Sequence, residues 1–372
     1  MNDSKCTYIW ERQDWPHWIY DARKLAPLVA QTHQARGYLL GRMHDLGMDQ
    51  KDRTATEALS LDIVKTSEIE GEILDLEGVR SSVAHRLGVD LGGLSPTYTK
   101  ADGVVDMILD AIEHPHIPLT NERLCDWHTA LFTGVSGVLS PICIGGFRDD
   151  AMGPMQVVSG PLHRRKVHFE APPAGLLDAE VTDFLMWLNL DQQDDILIKS
   201  GLAHLWFVTI HPFDDGNGRI ARAIGDRVLA MVDGLSKRYY SVSQQIERER
   251  KDYYLHLEKA QKGSMDVTDW LEWFLGCVLR ALENSPALVS GVLNRSTCWK
   301  RWATIPMNDR QIKLLNKLLD GFEGKLTTAK WAVIAKCSTD TALRDINDLV
   351  ENGVLIRGKS GGRSTAYQLA EP

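Results

Sequence analysis

The 372-residue chain has few cysteines and none in close pairs: Cys6, Cys125, Cys143, Cys277, Cys298 and Cys337 lie far apart, with no Cys-x-x-Cys spacing. That excludes a zinc-ribbon pattern, and Cys125 with His128 is too little for a metal site, so reduced, structural thiols are expected. No apolar run approaches the roughly 18 residues that cross a bilayer, and the opening "MNDSKCTYIWERQDW" lacks the apolar centre of a secretion signal. A cytoplasmic protein with no membrane partner is therefore expected. Positive charge is also scarce: the formal net charge of −8 argues against broad nonspecific affinity for nucleic-acid phosphates. Repeats and low-complexity tracts are missing too, while 44% hydrophobic and 25% charged residues suit a chain with a sizeable core.

What is present is mostly helical pattern. An aromatic strap, "YIWERQDWPHWIYD", leads into an amphipathic stretch that stops near Gly47, and Trp10, Trp15 and Trp18 read as packing residues. A second helix, "DRTATEALSLDIVKTSEIEGEI", has its stop at Gly71. From about Thr99 to Leu282 helical stretches follow one another with short connections, which predicts a compact helical domain. Inside it, alternation over Gln156 to Ser159 and Lys166 to Phe169 about a Gly-Pro turn predicts a β-hairpin, closed by Pro172 and Pro173. From Lys300 onward the balance is 12 basic against 8 acidic residues, so the tail is +4 and the remainder −12. Its three helical stretches and the Gly-rich turn between short strands resemble a winged helix, whose third helix can enter a major groove.

The chemistry concentrates in "HPFDDGNGRIAR", from His211 to Arg222, between two helical stretches. A helix N-terminus here presents unpaired N–H groups and roughly half a positive charge to an anion. Gly216 and Gly218 let the backbone approach a phosphate, and Asn217 can donate its amide to a phosphoryl oxygen. Arg219 and Arg222, three apart on one helix face, can grip phosphate oxygens bidentately. Asp215 is placed for Mg²⁺, which takes one or two carboxylates plus substrate phosphates, while Asp214 is expected to point to solvent. His211, at the entrance, is suited to take a proton from an incoming hydroxyl.

The stretch resembles the signature of Fic domains, His-Pro-Phe-x-Asp/Glu-Gly-Asn-Gly-Arg-x-x-Arg, and every fixed position matches. The resemblance implies a mainly α fold: an N-terminal helical region (1–98) with an inhibitory helix, a Fic core (99–285) with a hairpin flap, and a C-terminal winged helix (300–372). It also implies transfer of AMP from ATP to a Ser, Thr or Tyr hydroxyl of a protein target, with Mg²⁺ as cofactor. On this reading His211 is the base and Phe213 anchors the loop. Asp215 holds the metal, Gly216, Asn217 and Gly218 form the anion hole, and Arg219 grips the outer phosphates. Ile220, Ala221 and Arg222 complete the nucleotide-binding stretch. Val158, Ser159 and Gly160 fall where the family's flap pairs with the target backbone, and Tyr253 and Gln261 fall near the adenine.

"TSEIEG", Thr66 to Gly71, is similar to the family's inhibitory pattern, Ser/Thr-x-x-x-Glu-Gly/Asn. By that likeness Glu70 pairs with Arg222 in place of the γ-phosphate. In some relatives the same glutamate orients a water that removes AMP again. Self-modification and a homodimer are further expectations of the resemblance. Two other readings stay open: a Fic transferase using UMP, phosphocholine or phosphate donors, and a nucleotide-sensing transcriptional regulator that binds DNA through the winged helix. Lys359 and Arg363 flank the wing, but Asp340, Asp345 and Asp348 on the third helix would be repelled by phosphates and stand against DNA binding.

Overall fold

The computed structural model describes residues 6–89, 101–133, 142–160, 164–190, 194–233, 237–319, 321–322, 324–358 and 365–370. The chain divides into one unit made of Met1–Val89 with Pro96–Pro286, and another that contains Ala287–Pro372. The N-terminal residues thus share a unit with the central helices.

In the first unit α1 (Ala22–His44) begins at Asp21, whose carboxylate accepts from the N–H groups of Arg23 and Lys24. α2 (Met48–Ile69) starts earlier than its apolar pattern suggests and ends at Glu70. α3 (Leu76–Leu87) closes on Gly88 in the left-handed conformation. Then come α4 (Asp102–Glu113) and α5 (Asn121–Phe132), the latter capped by Thr120. Strands β1 (Gln156–Ser159) and β2 (Lys166–Glu170) form the antiparallel hairpin, with an irregular register between Val157 and Val158. α6 (Leu177–Asn189), α7 (Ile196–Ile210), α8 (Asn217–Asp233), α9 (Val242–Arg248) and α10 (Arg250–Gln261) follow.

α7 is the axis of this unit. Every residue from Leu197 to Ile210 is buried, as befits a helix that is apolar on all sides and surrounded by others. α8 packs along α7, and α2 lies against α3, α8 and α9, which brings its C-terminal end beside the start of α8. The N-terminal strap is tied down by Ile19, paired with the backbone at Met265 and Val267, and by the Trp10 indole, which donates to the Glu170 carbonyl. Trp15 and Trp18 meet Trp206 edge to face.

α11 (Thr268–Trp302) extends well past the stretch anticipated from sequence and takes in the residues between 285 and 300. The second unit continues with α12 (Asp309–Leu319), α13 (Thr328–Ala335), α14 (Thr339–Glu351) and the antiparallel pair β3 (Leu355–Arg357) and β4 (Tyr367–Leu369). Trp331, Leu314, Leu315, Ile346 and Leu349 form its core. Asp345, one of the three acids noted on the third helix, is buried on α14 and takes a bidentate grip from Arg310 at 2.8 and 3.0 Å. Lys359 and Arg363 lie outside the described residues.

Trp331→Ala should cost this small core about 3–5 kcal/mol, the range for deleting a buried aromatic. Hydrogen exchange should then quicken across α12, α13 and α14 and stay unchanged in α7 and α8. An unaltered exchange pattern would show that Trp331 is not the centre of that core.

Candidate active site

The loop between α7 and α8 is closed by its own residues. α7 ends at His211, which adopts the left-handed conformation (φ 51°) and still donates its backbone N–H to Phe207. Phe213 is fully buried and stacks on His128, with ring centroids 4.2 Å apart. Asn217 bridges back to Phe213: its Oδ1 accepts from the Phe213 N–H at 3.0 Å and its Nδ2 donates to the Phe213 carbonyl at 2.7 Å. The oxygen and one of the two Nδ2 hydrogens of this buried amide are thus engaged in shaping the loop. Gly216 (φ 82°) makes the turn into α8, a conformation that side chains rarely adopt. Asp214 does not simply face solvent either, since its Oδ2 accepts from the Cys143 N–H at 2.9 Å.

Two residues with no spacing signal in the sequence hold the loop from outside. The buried Arg148 guanidinium donates to the carbonyls of His211 (2.8 Å) and Pro172 (2.6 Å) and to Asp150 (2.8 Å). His128 accepts from the Gly145 N–H at Nδ1 and donates from Nε2 to the Asp215 carbonyl at 3.2 Å. Neither could be picked out by motif, for each lies more than 60 residues from the partner it fixes.

His211 is held as a neutral imidazole. Its Nδ1 lies 3.2 Å from the Val208 carbonyl, which can only accept, so the ring proton sits on Nδ1 and Nε2 keeps its lone pair. Burial pushes the imidazole down to about 4, and Arg148 adds to the effect against the opposing pull of the Val208 carbonyl, Glu70 and Asp215. At neutral pH the ring is uncharged.

At the start of α8 the anion position is filled by a carboxylate. Glu70, at the end of α2, accepts from Arg222 Nη2 at 2.6 Å. Thr66, one turn back, accepts from Arg222 Nε through its hydroxyl (2.6 Å) and from Nη2 through its carbonyl (3.0 Å). The Glu70 carboxylate lies so close to Gly218 that an added Cβ there would meet its Oε1 at 2.2 Å. Burial alone would raise the Glu70 carboxyl, but Arg222, with Arg219 and His211 behind it, holds it below the ordinary carboxylate value. A second acid, missed in the sequence although it stands two places on, acts alike: Glu72 pairs with the buried Arg219 at 2.9 Å. Two buried donors, Arg222 Nη1 and Arg219 Nε, have no hydrogen-bond partner among the described residues.

Other expected contacts are rearranged. Ile220 and Ala221 are fully buried and turn into the core, away from the side of α8 that carries the arginines. Tyr253 is also buried, its hydroxyl 2.9 Å from His204 Nε2 and its ring against Trp270 and Trp273, so it cannot stack on a base. Tyr254 is the exposed member of the pair, 41% accessible, with its hydroxyl 3.4 Å from the Ile69 carbonyl beside Glu70. Gln261 is buried and donates to Val208 and Thr209, bracing the end of α7. Val158, Ser159 and Gly160 are exposed on the hairpin.

Asp215 fits a site for a cation shared with a substrate. Its carboxylate is 62% accessible, Oδ1 accepts from the Gly216 N–H at 2.6 Å, and Oδ2 is 3.9 Å from Arg219 Nη2. Among the described residues no three His, Cys, Asp or Glu side chains cluster as a self-sufficient metal site. A lone, accessible carboxylate at the mouth of an anion pocket suits Mg²⁺, which commonly draws its other ligands from phosphates and water.

The helical domain thus presents a helix N-terminus backed by two buried arginines, with an uncharged imidazole beside it. Residues 118–229 match the family model described as Fic/DOC family, and residues 8–89 match one described as Domain of unknown function (DUF4172). The chain carries a domain of the Fic/DOC family. It is 30% identical over 103 residues to a probable protein adenylyltransferase from Aquifex aeolicus, covering 28% of this chain and 30% of that protein. It is 27% identical over 276 residues to the protein adenylyltransferase Fic of Aedes aegypti, covering 71% of this chain and 50% of the relative. The chain thus spans half or less of the length of these curated relatives. A Fic family protein from Desulfovibrio desulfuricans shares the fold at 22% identity and a TM-score of 0.51, over 92% of this chain and 96% of that one. A Fic domain containing signaling protein from Bacteroides thetaiotaomicron does so at 17% identity and 0.52, over 71% and 98%.

The depressed His211 predicts an acid sensitivity. The unfolded ring takes up a proton below about 6.5 and the folded ring only near 4, so the stability this ring contributes is complete above 6.5 and lost as pH falls toward 4. Between pH 7.5 and pH 5, denaturant unfolding should show wild type losing about 2 kcal/mol more than His211→Gln, which cannot take that proton. Parallel losses would mean that the ring is not held neutral.

Proposed function

We propose that the chain is a protein adenylyltransferase that transfers AMP from ATP to a hydroxyl of a target protein and is held inactive by its own α2. The reading is carried by the Glu70 carboxylate, 2.6 Å from Arg222 and against Gly218 at the start of α8. The relatives named protein adenylyltransferase support the class of reaction.

In the active state Glu70 withdraws and Arg222 and Arg219, with the first N–H groups of α8, receive the outer phosphates of ATP. Asp215 holds Mg²⁺, which offsets phosphate charge when bound. The target hydroxyl attacks the α-phosphorus as Nε2 of His211 takes its proton, and pyrophosphate leaves. His211 serves at neutral pH because its ring is already uncharged, and Arg148 and Val208 keep it from turning. Catalysis then rests on positioning and on donors laid out before the substrate arrives. The exposed edge at Val158 to Gly160 can pair with an extended target segment by backbone alone, which holds a side chain in register with little demand on sequence.

The brake has two acids. Glu70 competes with phosphate for the buried Arg222, and Glu72, half exposed, competes for Arg219. Losing a charged hydrogen bond of the first kind is worth about 1.5–3 kcal/mol, and an exposed pair about 0–1 kcal/mol. Helices α12, α13 and α14 followed by β3 and β4 have the order of a winged helix. α14 carries the exposed acids Asp340 and Asp348 beside Arg344, a mixed face that suits a protein partner better than DNA phosphates.

With labelled ATP, Mg²⁺ and cell lysate, Glu70→Gly should raise labelling about 10- to 100-fold over wild type, and Glu72→Gln by at most about fivefold. His211→Ala placed on the Glu70→Gly background should lower it by about 10²- to 10⁴-fold. Equal labelling of wild type and Glu70→Gly would remove the brake. Transfer from UTP or CDP-choline but not from ATP would replace the donor.

A further inference from the structure

Outside the anion pocket the hairpin carries a second chemical constellation. Ser159 Oγ lies 2.6 Å from His168 Nε2, and His168 Nδ1 lies 2.8 Å from Glu258 Oε2 on α10. Hydroxyl, imidazole and carboxylate in that order are the parts of an activated nucleophile: a base within reach of the hydroxyl, and a third group that orients the base. The carboxylate can only accept, so in the neutral imidazole the proton sits on Nδ1 and the lone pair of Nε2 faces the serine. Glu258 is fixed as an anion by Lys262 (2.7 Å) as well as by His168, and these two partners pull its carboxyl down to about 2.

The backbone is shaped for this arrangement. Val157 pairs with Phe169 and Val158 with Val167, which leaves His168 as the extra residue of a bulge. Bulges re-aim a side chain, and here the ring is turned to stand between the opposite strand and α10. Ser159 itself is exposed and followed by Gly160, which makes a left-handed turn (φ 87°). The relay is linked to the nucleotide loop through α10: one turn beyond Glu258, Gln261 donates to the Val208 carbonyl, the same oxygen that holds His211 Nδ1. Nothing in the reaction proposed above uses His168 or Glu258.

We infer that Ser159 is a nucleophilic hydroxyl with its own base, and that it is the residue on which this chain modifies itself. The acceptor role rests on the adenylyltransferase reading, whereas the reactivity of the hydroxyl does not. In the step, a bond forms between Ser159 Oγ and the α-phosphorus of ATP. The bond from that phosphorus to the oxygen bridging to the β-phosphorus breaks, and pyrophosphate departs with its electron pair. The serine proton passes to His168 Nε2, and the Glu258 carboxylate faces the imidazolium that results.

The test has two arms on the full chain. In the first, wild type is treated with diisopropyl fluorophosphate, a phosphorus electrophile that needs no nucleotide site, and the adduct is mapped by peptide mass spectrometry. It should fall on Ser159, disappear in Ser159→Ala, and form about 10²-fold or more slowly in His168→Gln, with a smaller loss in Glu258→Gln. Thermal melting of the variants at the wild-type temperature would separate lost reactivity from lost fold, and Ser159→Ala, an exposed change, keeps the mapping sound. No adduct at Ser159, or one formed as fast without His168, overturns the inference. In the second arm Glu70→Gly is incubated with ATP and Mg²⁺, and AMP should be found on Ser159. AMP confined to other residues of the chain overturns the acceptor role. AMP on neither the chain nor lysate proteins, with Ser159 still reactive to the fluorophosphate, marks the failure of the transferase reading and takes the acceptor role with it.

Discussion

A carboxylate and a phosphate make the same demand on a guanidinium: two oxygens in one plane, opposite two N–H groups. In this chain one oxygen of the Glu70 carboxylate takes Arg222 Nη2, while Thr66 takes Nε and Nη1 is left without a partner among the described residues. α2 ends beside the start of α8, so Glu70, which caps it, comes against Gly218, and Thr66 steadies Arg222 from the turn below. Arg222 is buried, and a buried cation without a partner is costly. Glu70 and Thr66 supply the partners that Arg222 needs there.

The imidazole depends on a separate constraint. His211 is held at a backbone conformation that non-glycine residues seldom adopt, and such a conformation persists only where its surroundings impose it. Those surroundings are Asn217 closing the loop on Phe213, His128 stacked beneath Phe213, and Arg148 clamping the His211 carbonyl. The same enclosure that fixes the ring strips it of solvent and keeps it uncharged. Geometry and basicity thus have one cause. The exposed hairpin, by contrast, is joined to α10 by the polar contact of His168 with Glu258, on the face where an incoming polypeptide would lie.

Local spacing made the loop and helix start from His211 to Arg222 legible because its parts are contiguous, and their relations follow from backbone geometry. The helices α7 and α8, the hairpin and the position of Glu70 one turn after Thr66 were readable for the same reason. Where two side chains of one type stand side by side the sequence reading chose the wrong one, placing the buried Tyr253 near the adenine. Tyr253 and Tyr254 are adjacent on α10, and only the packing of Trp270 and Trp273 decides which turns inward. Asn217 has the composition of an anion ligand, and only the fold shows that its oxygen and one of its N–H groups also close the loop on Phe213.

By itself, then, the sequence determined a mainly helical chain, a helix that starts at a Gly-Asn-Gly turn, two arginines on one of its faces and a histidine before it. Tertiary structure alone decided that Glu70 and Glu72 reach Arg222 and Arg219 across some 150 residues of chain. It also decided that Arg148 and His128 set the loop, and that a serine, a histidine and a glutamate from separate segments fall into line. The division has a physical reason. Periodicity and turn chemistry act over a few residues and are written in order along the chain, whereas ion pairs and relays between segments depend on how helices pack, and packing selects partners by shape rather than by sequence distance.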